Sequence, residues 1–220
     1  MKRKVIAFIT VVVVISAALF VIKKNIEGTT NHITSKKGSL FSNANKTDDS
    51  CCVELSRGKL SDLSIYQLKS TWKNQESENV RLQDFLGKKV ILAMIYTNCP
   101  TACPAIVGDM LRLQSAIPKS NLSDYRFVLV SIDPKRDVPS QLEKYAKERN
   151  LNEKLWTLLT GSNYQISELA QMIGFKYMKK QNDTFLHSNL ITFIDEKGEI
   201  KNQSEGLNQN INTLLSMSGN

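Results

Sequence analysis

Proline is scarce in this 220-residue chain and absent after position 139: its five prolines stand at 100, 104, 118, 134 and 139. Common dithiol redox enzymes place a proline opposite their thiols from a loop late in the chain, and no residue here can fill that place. Histidine is scarcer, with only His32 and His187. One-signed charge is missing where a nucleic-acid binder needs it. The net charge of +8 sits almost wholly in residues 1–47, where eight Lys and Arg face one acid, Glu27. Residues 48–220 carry 21 basic and 20 acidic side chains. So neutral a body lacks the basic face that nucleic acid requires, and no nucleic-acid partner is expected.

Charge is also missing from Val5–Ile22, VIAFITVVVVISAALFVI. These 18 residues would span roughly 27 Å as a helix, close to the hydrocarbon thickness of a bilayer. The run exceeds the usual apolar core of a signal peptide, and no small-x-small site follows before Lys23-Lys24. An uncleaved anchor over residues 1–24 is therefore expected. Lys2, Arg3 and Lys4 hold its amino end in the cytoplasm, which puts the body across the membrane. That location is the periplasmic side of a bacterial inner membrane, or its equivalent. Residues 25–52 are rich in Asn, Ser, Thr and Lys and cannot bury enough surface to offset their ordering entropy. They read as a flexible tether, with the globular domain over 53–220.

What the body does contain is an alternation of strands and helices. Val90–Tyr96 and Arg126–Ile132 are continuous apolar runs, as in strands buried on both faces. Leu155–Leu159, Phe175–Met178 and Leu190–Asp195 read as further strands, the last two as a pair. Helices are expected over Thr101–Ile117, Pro139–Arg149, Gln165–Ile173 and Asn208–Met217. The pattern predicts an α/β sheet with helices on both faces. Chemistry in such sheets gathers at the carboxyl ends of the strands, where Cys99 and Asp133 both fall.

The stretch YTNCPTACPAIVGDM carries two cysteines, Cys99 and Cys103, four residues apart. Two thiols in one helix could be core, but Cys99 lies in a polar turn and off any apolar stripe. A helix start favours a thiolate through its unpaired N–H groups and positive dipole end. Cys103 lies one turn later on the same face, so the sulfurs can join as a disulfide or converge on one ion. A redox pair usually has two intervening residues, and here there are three. His187, before the Leu190 strand, offers an imidazole. Copper(I) is soft and favours thiolates, and two Cys plus one His make a reasonable cage for it. Zinc is the rival, although a structural zinc site wants four protein ligands, and Cys51 or Cys52 could supply a fourth.

CPTACP, SIDPKRDVP and LHSNLITFIDEKG resemble, in order and spacing, the signatures of the Sco (SenC) family. Its members are membrane-tethered, thioredoxin-like copper-binding proteins that help assemble the dinuclear copper site of cytochrome c oxidase. The resemblance covers roughly residues 80–200 and implies a thioredoxin-like sheet behind the anchor. It puts the thiolate ligands on Cys99 and Cys103 and the histidine ligand on His187. The family's acidic loop falls on Asp133, Pro134, Arg136 and Asp137, beside the site, supporting it or docking a partner. Two departures stand out: Leu186 replaces the usual Asp before the histidine, and Val138 replaces Thr in the acidic loop.

The implied function is a copper metallochaperone binding one Cu(I) or Cu(II), whose three donors leave an open side for exchange. Its expected recipient is the copper-site subunit of cytochrome c oxidase, with a copper donor protein or a thiol reductant upstream. The alternative is a thiol–disulfide oxidoreductase that uses Cys99 and Cys103 to keep the recipient's copper-ligand cysteines reduced.

Overall fold

The computed structural model describes residues 60–219. The expected anchor, the tether and the Cys51-Cys52 pair lie outside the described residues. Among the described residues no helix is long and apolar enough to cross a membrane.

In chain order the first elements are β1 (Thr71–Asn74), β2 (Asn79–Arg81), β3 (Lys89–Ile95), α1 (Ala102–Ala116), β4 (Tyr125–Ser131) and α2 (Pro139–Glu148). There follow β5 (Trp156–Thr160), α3 (Asn163–Met172), β6 (Tyr177–Lys179), β7 (Phe185–His187), β8 (Leu190–Ile194), β9 (Ile200–Glu205) and α4 (Ile211–Met217). Seven strands form one sheet in the order β2-β1-β5-β4-β3-β8-β9. The two apolar runs, β3 and β4, pair in parallel at its centre, from Lys89↔Tyr125 to Ile95↔Ser131. β5 extends the parallel part, and the outer strands on both sides run antiparallel.

Helices cover both faces, and the register shows which. The crossovers β3-α1-β4 and β4-α2-β5 step the same way across the sheet, so their right-handedness puts α1 and α2 on one face. Trp156 on that face donates its indole N–H to Gln114 of α1 at 2.5 Å. The opposite face takes α3. Gln203 bonds both Thr192 Oγ1 and the Ile173 carbonyl that closes α3. Thr192 is the register partner of Leu92, whereas Trp156 lies across from Phe127 and Ile91. Ile91 and Leu92 are neighbours on one strand and point oppositely. The parallel pair, the β8–β9 hairpin and the terminal helix make this a thioredoxin-like arrangement.

Three features differ from expectation. β1 and β2 form a hairpin at the sheet edge, and β9 is a strand; their sequences TWKN, NVR and IKNQSE carry too little apolar alternation to declare it. β6 does not pair with β8. It pairs with β7 as a separate two-stranded ribbon, Tyr177↔His187 to Lys179↔Phe185, while β8 pairs with β3 and β9. Detached from the sheet, that ribbon carries the histidine.

Candidate metal centre

β3 ends at Ile95, and the next residues turn sharply into α1. The Cys99 N–H closes the turn on the Tyr96 carbonyl at 3.2 Å. Thr101, at the helix start, makes no side-chain cap. Instead the Cys99 sulfur accepts the N–H of Cys103 at 3.4 Å, so this sulfur sits where the first turn has donors to spare, a place that favours a thiolate. Burial opposes the Cys99 anion. The Cys103 N–H, the His187 imidazole and the Thr101 N–H outweigh it, and the thiol is held down to about 6. Cys103 is pushed far up, first by burial and then by its neighbour's charge. One sulfur is ready as an anion, and the other keeps its proton until something replaces it.

Although it lies in a polar turn, Cys99 is only 7% exposed, and Cys103 is fully buried. The reason is the β6–β7 ribbon, which brings aromatic rings over the turn. Tyr96 packs on Phe185 at 5.1 Å between ring centres and meets the edge of His187 at 5.8 Å. Phe175 also stacks on the imidazole, at 6.0 Å. These three aromatic side chains were not singled out from sequence. The readable signal was alternation along TFLH: in a strand Phe185 and His187 share a face, while Leu186 points away.

His187 Nδ1 lies 2.8 Å from the Ser188 carbonyl, which can only accept, so Nδ1 carries a proton. Nε2 then either holds a second proton against the Cys99 sulfur or offers its lone pair. It lies 4.0 Å from Cys99 Sγ and 3.7 Å from Cys103 Sγ. All three donor atoms fall within 4.8 Å of one another. An ion bound at roughly 2.3 Å to sulfur and 2.0 Å to nitrogen spaces planar donors roughly 4 Å apart. The triangle fits such an ion. Among the described residues no fourth Cys, His, Asp or Glu joins the cluster. The donor set suits a soft, three-coordinate ion better than a structural zinc.

The predicted acidic loop lies beside this triangle and contributes no donor to it. Asp137 is buried, accepting the Thr97 N–H at 3.0 Å, the Thr97 hydroxyl at 2.6 Å and the Ser131 hydroxyl at 2.6 Å. Burial pushes its carboxyl up against the pull of those three donors. Its work is to tie the turn before Cys99 to the end of β4. Asp133, also buried, pairs with Arg136, which in turn donates to the Asp183 carbonyl at the tip of the β6–β7 ribbon. Met178, whose thioether could also bind a soft ion, is the partner of Leu186 and so faces away from His187. Met94 and Met110 are fully buried core residues.

The SCO1/SenC family model matches residues 66–216, spanning every element from β1 to the end of α4 except its last residue. This chain belongs to the SCO1/SenC family. A SCO1 homologue from Bacillus subtilis is 32% identical over 141 residues, covering 62% of this chain and 72% of that protein. A Stutzerimonas stutzeri protein named for copper binding is 25% identical over 132 residues, 58% of this chain and 63% of its own length. Among solved structures, BsSco, of the Sco family of cytochrome c oxidase assembly proteins, is 29% identical with a TM-score of 0.60. That match covers 68% of this chain and 89% of that one. A SCO1/SenC family lipoprotein from Bacillus anthracis is 25% identical with a TM-score of 0.63, over 68% and 90% of the two chains. Against the family pattern, both departures in this SCO1/SenC protein, Val138 and Leu186, are exposed apolar side chains near the site. Neither touches a donor atom of the triangle.

Proposed function

We propose that this chain is a copper metallochaperone, which takes one copper ion between Cys99, Cys103 and His187 and delivers it to the copper-site subunit of cytochrome c oxidase. The observation that carries this reading is the convergence of two sulfurs and one imidazole nitrogen into a triangle of ion-binding size. Copper is the cargo. Two thiolates and one imidazole prefer Cu(I) among biological ions and accept Cu(II). The Stutzerimonas relative's name and the family description of BsSco support copper and the oxidase as the setting.

In this reading Cys99 meets the incoming ion as an anion, Cys103 releases its proton on binding, and Nδ1 of His187 keeps the ring oriented through the Ser188 carbonyl. Delivery is ligand exchange, in which thiolates of the recipient replace these donors one at a time. The uncharged run Val5–Ile22 supports anchoring, with the body on the periplasmic side, where the recipient's copper site would be met. Metal analysis of the reduced full chain tests the assignment: about one copper per chain in wild type and none retained in Cys99→Ser. Reporter fusions at Ser50 test location, and a reporter active only in the cytoplasm would refute it.

One observation favours a second reading. A low thiol beside a buried high one is also the pattern of a dithiol reductant. Cys99 would attack a disulfide in the recipient, giving a mixed disulfide and releasing one recipient thiolate. Cys103 would then displace the other, leaving the recipient reduced and Cys99–Cys103 oxidised, to be restored by an external dithiol. Rapid turnover of a disulfide substrate without copper binding would select this reading.

A further inference from the structure

We propose that Arg136 is a latch that holds the His187 ribbon closed over the two thiols and so sets how fast copper enters and leaves. The inference rests on the copper-carrying reading. The β6–β7 ribbon shares no ladder with the seven-stranded sheet. Its base is held by buried Phe175 on one side and Leu190 on the other. Its tip is the turn Lys180–Thr184, where Asp183 adopts a left-handed φ of 57° and exposes its carbonyl. The Arg136 guanidinium donates to that carbonyl.

The other side of the same guanidinium is fixed on the body. Its Nε bonds the buried Asp133 carboxylate. The Asp133 carbonyl accepts the N–H groups of Arg136 at 3.1 Å and Asp137 at 2.9 Å. Asp137 holds Thr97, two residues before Cys99. One unbroken chain of hydrogen bonds therefore runs from the thiol half of the site to the tip of the imidazole half. Arg136 is the link in that chain that crosses between them, at the ribbon's tip, while Tyr96 packs on Phe185 and His187 nearer the thiols. A planar fork can bond two acceptors in different directions at once, which an ammonium on a flexible stem does poorly.

The latch matters because the site is enclosed. With Cys103 fully buried and Cys99 nearly so, a recipient's thiolate reaches the ion only if the ribbon moves. His187 is the most exposed of the three donors and the one carried on a movable element. Arg136 touches no donor atom and acts as a positioning residue.

The test uses the full chain in detergent, with Arg136→Ala, Arg136→Lys and each of these combined with His187→Ala. Transfer of Cu(I) from the loaded protein to a chelator should quicken by roughly tenfold in Arg136→Ala, the size of one charge-assisted hydrogen bond. Arg136→Lys should behave like the alanine variant, since it keeps the charge but loses the fork. In the His187→Ala background neither change should add anything. A metal-free readout is the rate at which diethylpyrocarbonate modifies His187, located by mass spectrometry. It should rise in both Arg136 variants; Arg136→Ala, which leaves the buried Asp133 carboxylate without its partner, should also unfold at lower denaturant, whereas Arg136→Lys keeps a cation there and should unfold close to wild type. Wild-type release from Arg136→Lys, additive effects in the His187→Ala background, or unchanged His187 reactivity would each overturn the latch. If wild type itself retains no copper, the carrier reading fails, and the modification rates alone still decide whether Arg136 closes the ribbon.

Discussion

At the scale of single residues, the site is asymmetric: of two thiols one turn apart, one is held down to about 6 and the other is pushed up by burial. The cause is the helix start, whose N–H groups point at Cys99 with the His187 imidazole beside it, while Cys103 faces the core. In the reduced, metal-free protein, alkylation of Cys99 should follow a titration with a midpoint near pH 6. An ordinary thiol would react with a midpoint near 8.5. Because the shift is downward, Cys99 should remain reactive at pH 7, while Cys103 stays unmodified across the same range. Peptide mapping after iodoacetamide pulses from pH 5 to 9 reads both, and a Cys99 midpoint above 8 would contradict the geometry. The imidazole carries a second residue-scale expectation. His187→Ala removes a ligand and also two aromatic contacts, at a cost of about 1–2 kcal/mol. The variant should fold, unfold at slightly lower denaturant, and bind copper more weakly. Copper affinity equal to wild type would remove His187 from the site.

At the scale of elements, three pieces meet: the β3–α1 turn, the loop after β4 and the β6–β7 ribbon. Asp137 joins the first two with three hydrogen bonds inside the protein. Asp137→Ala would leave buried donors on Thr97 and Ser131 unpaired and should cost about 3 kcal/mol. A lower urea midpoint should be accompanied by weaker copper binding, because the turn before Cys99 loses its support. An unchanged midpoint would mean the carboxylate is dispensable. How much of this was legible follows from where the signals lie. The central strands announce themselves as apolar runs, and α1 by its spacing at Ile106, Met110 and Leu113. Cys99, Cys103 and His187 were readable as residue types with the right chemistry. What the sequence hid was the ribbon. Phe185–His187 is three residues long, too short for a period to show, and its partner β6 reads in the sequence as one more strand of the sheet. With the ribbon hidden, so were the rings around the imidazole, the burial of Cys99 and the bond from Arg136 to Asp183.

At the scale of the whole molecule, copper should act on stability as well as occupy a site. A ligand that binds only the folded protein stabilises it by mass action, so copper at 100 to 1,000 times its Kd should add roughly 3–4 kcal/mol. That gain should raise the melting temperature of the reduced wild type and disappear in Cys99→Ser. The described domain, residues 60–219, holds all three donors, so residues 1–59 should leave the gain unaltered. The most direct measurement of the central claim compares two redox states of one protein. Cu(I) is titrated anaerobically into the full chain with Cys99 and Cys103 reduced, and into the same chain after they are joined as a disulfide. The reduced form should take one equivalent and melt higher. The disulfide form, left with a single imidazole, should take none and melt unchanged. Equal binding by the two forms would contradict thiolate ligation and, with it, the function proposed for this chain.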